Sequence, residues 1–173
     1  MANPQAITLS SIERLVDSLN QAGVRYLVVG GLAVIAHGHT RLTMDIDLVI
    51  ELDGENIKRA IDALVGVGYR PQIPVDPTEF MSEETRRTWA EQRNMVVFQW
   101  VCDAPGSPAV DVFVQEPFDF RIEYERAVAV EVSSSVKVPV VAINTLIEMK
   151  RQTGRERDLD DVSNLTQLLV DEP

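Results

Sequence analysis

The sequence has few cysteines and histidines and no long apolar run. Of 173 residues, one is cysteine (Cys102) and two are histidine, which excludes an internal disulfide and a Cys/His zinc cluster. No apolar run approaches the roughly 20 residues of a membrane span, and residues 1–4 lack the start of a signal peptide. We therefore expect a soluble, cytoplasmic protein that makes no membrane contact.

Positive charge is also scarce. The chain has 27 acidic residues against 16 Lys and Arg, a formal net charge of -11. Non-specific binding to duplex DNA needs a basic face, so we expect none, although a local basic patch for an RNA end remains compatible with this charge. The length and the 45% hydrophobic content predict a single domain over 1–173.

Apolar spacing along the chain predicts both helices and strands. The expected order is helix, strand, helix, strand, helix, strands, and then two helices. This order predicts an α+β fold with α/β-type layers, in which a small mixed β-sheet is flanked by helices. The sheet core is expected at 1–140 and closing C-terminal helices at 141–173, with strands at 26–29, 45–50 and 109–114.

Two aspartates, Asp45 and Asp47, interrupt an otherwise apolar strand at 44–50. Strand side chains alternate between faces, so both carboxylates share one face. Like charges this close raise each other's pKa unless a cation lies between them. Mg²⁺ prefers oxygen ligands of this kind, and two such ions about 3.5–4 Å apart activate an attacking oxygen and stabilise a leaving pyrophosphate. The alternative is an exposed edge strand that carries two acids by chance.

A glycine pair, Gly30-Gly31, follows the predicted strand at 26–29. Glycine allows a phosphate to approach the main chain, and backbone N–H groups at a helix start favour phosphate. This turn indicates a nucleotide triphosphate. The alternative is a tight strand-to-helix turn without a ligand.

A third strand acid, Asp111, lies within the apolar segment 109–113. If this strand neighbours the strand of Asp45 and Asp47, a third carboxylate reaches the same metal ions. The alternative is a single charge at a strand end.

Other charged residues are candidates for contacts with phosphate. Lys150 follows an apolar helix face and is a compact cation for the β- and γ-phosphates. Arg41 and Thr43 precede the acidic strand at the rim of the site, where Arg41 would bind a phosphate and Thr43 would either contact phosphate or cap the loop. Asp158 and Asp161 share one helix face at i and i+3. The alternative for the C-terminal residues is a solvated helix pair with salt bridges.

Together these motifs resemble the signature of the polymerase-β-like nucleotidyltransferase superfamily. Two longer stretches are similar to the branch of AbiEii-type toxin nucleotidyltransferases and small stand-alone relatives. The chain departs from the pattern because a second glycine replaces the serine of many members, and because it is short for an AbiEii-type toxin. The stretches are Val28-Val29-Gly30-Gly31-Leu32-Ala33 with His37-Gly38 and Arg41-Leu42-Thr43-Met44-Asp45-Ile46-Asp47-Leu48, and Lys150 with Gly154-Arg155, Asp158-Leu159 and Asp161.

The resemblance implies a nucleotidyltransferase fold and roles for the residues. Asp45, Asp47 and Asp111 would bind Mg²⁺, or Mn²⁺, with Asp111 completing or activating the site. Gly30-Gly31 would hold phosphate, and Lys150 would steady the triphosphate. Either Asp158 or Asp161 would orient Lys150 or the acceptor.

The function predicted from these observations is Mg²⁺-dependent transfer of an NMP group from an NTP to an acceptor hydroxyl. A toxin-like enzyme would modify tRNA or a protein and would pair with an antitoxin partner. A small-molecule enzyme would modify a drug such as a lincosamide or aminoglycoside antibiotic. A non-catalytic module that binds nucleotide or a partner protein is the alternative from another class.

Overall fold

The computed structural model describes residues 7–171, so residues 1–4, on which the signal-peptide argument depends, lie outside it. The elements are α1 (Leu9–Gln21), β1 (Tyr26–Val29), α2 (Gly30–Ala36), β2 (Asp45–Ile50), α3 (Gly54–Gly66), β3 (Arg70–Pro71), a 3₁₀ helix (Pro77–Met81), α4 (Glu83–Arg93), β4 (Val97–Val101), β5 (Ala109–Phe113), α5 (Phe120–Glu125), β6 (Val128–Ser133), β7 (Val136–Val140), α6 (Ile143–Thr153) and α7 (Glu156–Asp171).

The strands form one mixed sheet in the order β3-β4-β5-β2-β1-β7-β6. The β2–β5 and β1–β7 pairs are parallel, and the other neighbours are antiparallel. The predicted α+β fold with a mixed sheet, flanking helices and two C-terminal helices is confirmed. The assignment of the whole chain to one domain stays a prediction. None of the helices within residues 7–171 is long and apolar enough to cross a membrane.

Short polar side chains determine where several helices begin. Thr8, Asp53, Ser82 and Asp119 accept hydrogen bonds from backbone N–H groups in the first turns of α1, α3, α4 and α5. Each cap satisfies an N–H group that has no partner inside the helix. The 3₁₀ helix and α5 are both short and were not predicted from apolar spacing.

An aromatic cluster covers one face of the sheet at β4. Phe98 stacks on Trp89 of α4 with ring centroids 5.0 Å apart, and it also contacts Phe80 of the 3₁₀ helix and Trp100. All four rings are buried. Because strand side chains alternate, Gln99 between Phe98 and Trp100 projects to the opposite face. The core therefore occupies one face here and leaves polar strand residues on the other.

Candidate functional site

The three strand aspartates lie on one face of the sheet. In the parallel β2–β5 pair, Asp47 is directly opposite Asp111 and Asp45 is opposite Ala109. Residues opposite each other on paired strands project to the same face of the sheet. The adjacency of the two strands, on which the proposed involvement of Asp111 depended, is therefore present.

Each of these carboxylates has a polar donor group near it. The Thr43 hydroxyl donates to Asp45 Oδ1 at 3.0 Å. The Gln99 side-chain amide donates to Asp111 Oδ1 at 2.7 Å. The backbone N–H of Gly31 favours the charged form of Asp47 and lowers its pKa. The donors come from three different segments and hold the acids in defined orientations.

The electrostatics of this face disfavour negative charge on Asp47 and Asp111. Burial, and after it the charges of Asp45 and Asp111, raise the pKa of Asp47 to about 7, although Lys150 and the Gly31 N–H act in the opposite direction. Burial also raises the pKa of Asp111; the Gln99 hydrogen bond opposes this rise and the charge of Asp45 adds to it. A proton or a cation relieves such repulsion.

The donor set fits a hard divalent cation by its chemistry. Carboxylate oxygens are the ligands that Mg²⁺ takes in proteins, together with substrate phosphates and water. Within residues 7–171, however, no group of three or more His, Cys, Asp or Glu side chains is already gathered closely enough to hold a metal ion. Asp45, Asp47 and Asp111 nevertheless share one face of the sheet, so oxygen donors suited to such a cation are present there.

The glycine turn packs directly against these aspartates. Gly30 has φ +64°, and a Cβ atom on it would lie 1.9 Å from Asp47 Oδ2. A Cβ atom on Gly31 would lie 2.7 Å from the Thr43 hydroxyl oxygen. Gly30 is required and Gly31 is favoured because the start of α2 lies against Asp47 and Thr43, which is a reason for the pair independent of any phosphate.

A buried cluster of charges joins α6, α7 and the loop before β2. Lys150 Nζ lies 2.7 Å from Asp161 Oδ2 and 3.1 Å from Asp158 Oδ1. The Arg41 guanidinium also pairs with Asp161. Lys150 and Asp161 are only 7% and 3% exposed. Both C-terminal acids therefore contact Lys150, and Arg41 is bound to Asp161 rather than free at the rim.

Further contacts hold this cluster beside the sheet. The Thr153 hydroxyl donates to Asp158 Oδ2 at 2.7 Å. Burial raises the pKa of Asp158, but the hydrogen bonds from Thr153 and Lys150 outweigh burial and leave this pKa below its usual value. The Arg157 guanidinium donates to the Leu42 carbonyl, so α7 and the loop before β2 are tied together at two points.

The residues singled out in the sequence thus form two neighbouring groups. One group is acidic and contains Asp47, and the other is a charge cluster that contains Lys150. The charge of Lys150 lowers the pKa of Asp47. Sequence reasoning missed Gln99, although its signal is visible as one polar residue in an apolar strand. The acidic group is Asp45, Asp47 and Asp111 with Gly30, Gly31 and Thr43, and the charge cluster is Lys150, Asp158, Asp161 and Arg41.

Comparison by sequence identifies a family. The family model described as "Nucleotidyltransferase of unknown function (DUF6036)" matches residues 8–171. Among curated proteins, the sequence comparison finds no match.

Comparison by structure finds related folds at low identity. The chain is similar to the lincosamide antibiotic adenylyltransferase LnuA in its lincomycin-bound crystal structure, with TM-score 0.57 and 16% identity over 94% of this chain and 99% of that chain. The solution structure of the antibiotic-resistance factor ANT(2″)-Ia gives TM-score 0.60 and 16% identity over 93% and 83%. The crystal structure of ANT(2″)-Ia with adenylyl-2″-tobramycin gives TM-score 0.57 and 15% identity over 93% of this chain and 88% of that chain. The fold is therefore the expected nucleotidyltransferase fold.

We expect Gly30→Ala to destabilise the protein more than Gly23→Ala. Both glycines have left-handed backbones, at φ +64° and +65°, but a Cβ atom on Gly23 meets nothing within 4 Å. The backbone cost of about 1–2 kcal/mol applies to both variants, and overlap with Asp47 adds about 1–3 kcal/mol to the first. Urea denaturation measures both free energies of unfolding; equal losses would contradict the close approach.

We expect ionisation of Asp47 to lower the free energy of unfolding of the metal-free protein as pH rises from about 4 to about 7. The unfolded carboxyl ionises near 3.8, whereas the folded one retains its proton up to about 7. The unfolded state therefore releases this proton first and is favoured across that range. Asp47→Asn removes this contribution, so the stability of the variant relative to the wild-type chain should rise over the same range. Urea denaturation with a chelator at several pH values is the measurement, and parallel curves would refute the assignment.

Proposed function

The chain belongs to the nucleotidyltransferase family whose model matches it, and we propose that it transfers an NMP group from an NTP to an acceptor hydroxyl. The observation that carries this proposal is the in-register pairing of Asp47 with Asp111, beside Asp45 on the same strand. A row of carboxylates on a strand face contributes little to stability, because burial and mutual repulsion oppose their charges.

The proposed reaction is a displacement at the α-phosphorus. The acceptor oxygen forms a bond to that phosphorus, the bond to the bridging oxygen breaks, pyrophosphate leaves with the bonding electrons, and the hydroxyl proton is released. Catalysis of such a transfer is mainly positioning and charge stabilisation. Asp45, Asp47 and Asp111 would hold Mg²⁺ or Mn²⁺, which neutralises charge on the phosphates and favours the ionised acceptor oxygen when bound.

The charge cluster is proposed to bind the triphosphate of the NTP through Lys150. Lys150 lowers the pKa of Asp47, so the two side chains are near each other. This supports a binding place for the triphosphate between the strand aspartates and the C-terminal helices. Asp158 and Asp161 would hold Lys150 in place, and Asp161 would hold Arg41 as well. A cation that is already positioned loses little side-chain entropy on binding phosphate, which favours affinity.

The glycine turn is proposed to approach the nucleotide at its phosphates. Without side chains, Gly30 and Gly31 let the main chain lie directly against Asp47 and Thr43, so a phosphate bound beside these residues would also be close to the backbone of the turn. Thr43 donates to Asp45, so its first contribution would be to orient that carboxylate.

We propose a cationic small molecule as the acceptor. The net charge of -11 favours a positively charged acceptor over an anionic one. The structures of LnuA with lincomycin and of ANT(2″)-Ia with adenylyl-2″-tobramycin support this class by analogy of fold.

A toxin-like enzyme of the AbiEii-type branch is the second candidate. The similarity of the C-terminal motif favours it, because Lys150 of that motif contacts both Asp158 and Asp161. Its acceptor would be tRNA or a protein, and an antitoxin would be its partner. A non-catalytic binding module has less support, because all three strand aspartates are present.

We expect Asp45→Ala and Asp47→Ala each to lower the rate of NMP transfer more than about 100-fold, since loss of an outer partner of a metal ligand alone costs 10–100-fold. Calorimetric titration with NTP and Mg²⁺ should also lose its signal. Asp62→Ala is the matched control, because Asp62 forms only an exposed salt bridge with Lys58. Equal binding by wild type and both strand variants would refute the metal assignment.

The acceptor is tested with four α-labelled NTPs in the presence of aminoglycosides, lincosamides, total RNA or the protein alone. We expect label on a cationic small molecule. Label in tRNA, together with growth arrest on expression, would favour the toxin-like candidate instead. NTP binding without label in any product would favour the non-catalytic module.

A further inference from the structure

Gln99 is a polar residue at the end of a row that crosses three strands. It lies opposite Asp111 in the antiparallel β4–β5 pair, and Asp111 lies opposite Asp47 in the parallel β5–β2 pair. All three side chains therefore project to one face. The neighbours of Gln99 along β4, Phe98 and Trp100, are 1% exposed on the other face. Nothing in the aromatic core requires an amide at this position.

The contact between Gln99 and Asp111 restrains the carboxylate. Gln99 Nε2 donates to Asp111 Oδ1 at 2.7 Å, and within residues 7–171 no other side-chain hydrogen bond to Asp111 is found. Asp111 is 9% exposed, so water has little access to replace the amide. With Oδ1 held from the β4 side, the carboxylate keeps Oδ2 as its uncommitted oxygen.

The chemical type of the donor is also informative. A lysine or arginine at this position would form an ion pair and cancel the charge of Asp111. A neutral amide fixes the orientation of the group and leaves its negative charge available to a cation. The charge cluster differs from the Gln99–Asp111 contact, because its carboxylates are paired with cations. These pairs are Lys150 with Asp158 and Arg41 with Asp161.

We propose that Gln99 is a positioning residue that orients Asp111 toward a divalent cation shared with Asp45 and Asp47. This inference rests on the proposed function, since it assigns Asp111 to the metal. Gln99 acts through Asp111 and touches neither nucleotide nor acceptor. Partners of this kind fix the direction of a metal ligand, and their loss typically lowers metal affinity or activity 10–100-fold.

The test compares Gln99→Met with wild type, because methionine preserves side-chain length and removes the donor. We expect the Kd for Mn²⁺, measured by the EPR signal of the free ion, to rise about tenfold or more. In an Asp111→Ala background, the same substitution should change the Kd less than about twofold. The matched control is Gln21→Met, because Gln21 also donates to an aspartate, Asp17, at 2.6 Å on exposed α1.

A second measurement covers the event that Gln99→Met fails to fold. The side-chain amide protons of Gln99 in the ¹⁵N-labelled wild-type protein should shift when Asp111→Ala is introduced, since their acceptor is removed. Unchanged amide resonances, or Mn²⁺ binding by Gln99→Met equal to that of Gln21→Met, would overturn the inference.

Failure of this inference is distinguishable from failure of the proposed function. If Asp45→Ala abolishes NMP transfer while Gln99→Met binds Mn²⁺ like wild type, the function stands and the role of Gln99 is refuted. If Mn²⁺ binding depends on Gln99 but wild type transfers no NMP, the role of Gln99 stands and the function fails. Absence of Mn²⁺ binding by wild type would refute both.

Discussion

The parallel pairing of β2 with β5 is the constraint on which the rest of the site depends. Its register sets Asp47 against Asp111 on one face of the sheet. The same register sets Ile46 against Val110 on the other face, where both are buried. A slip of one residue would exchange the faces and bury charge in the core. The hydrophobic effect that stabilises the core therefore also holds the carboxylates together.

The second feature of the molecule is the way its cations are held. Asp161, on α7, pairs with both Lys150 and Arg41, although Arg41 lies 120 residues away in the chain. Ion pairs this deeply buried gain little net stability, because desolvation offsets their attraction. Their value is that they define geometry, here by joining the loop before β2 to the C-terminal helices. Among residues 7–171, the three strand aspartates form no salt bridge, whereas Lys150 and Arg41 beside the sheet are bound to carboxylates. The site therefore has an acidic side and a side that carries its cations.

The glycine turn illustrates how one motif can satisfy two demands. Its sequence favours an approach to phosphate, while its environment shows a steric demand, because Asp47 and Thr43 fill the positions where Cβ atoms would lie. The turn is therefore part of the support for the acidic strand, whatever it binds. Its positive φ and its close packing both exclude a side chain at Gly30.

Local patterns in the sequence determined the mixed α+β class, the main strands, the two C-terminal helices and the shared face of Asp45 and Asp47. These follow from spacing within a few residues, where period 2 and period 3.6 operate. The sequence did not predict α5 or the 3₁₀ helix, because each is too short for the spacing of its apolar residues to show a helical period. Only the tertiary structure decided that β5 lies beside β2, that Gln99 binds Asp111, and that Asp161 holds Arg41 as well as Lys150. Such contacts join segments far apart in the chain, and they are set by how the sheet orders its strands and how its faces are buried, which no local pattern encodes.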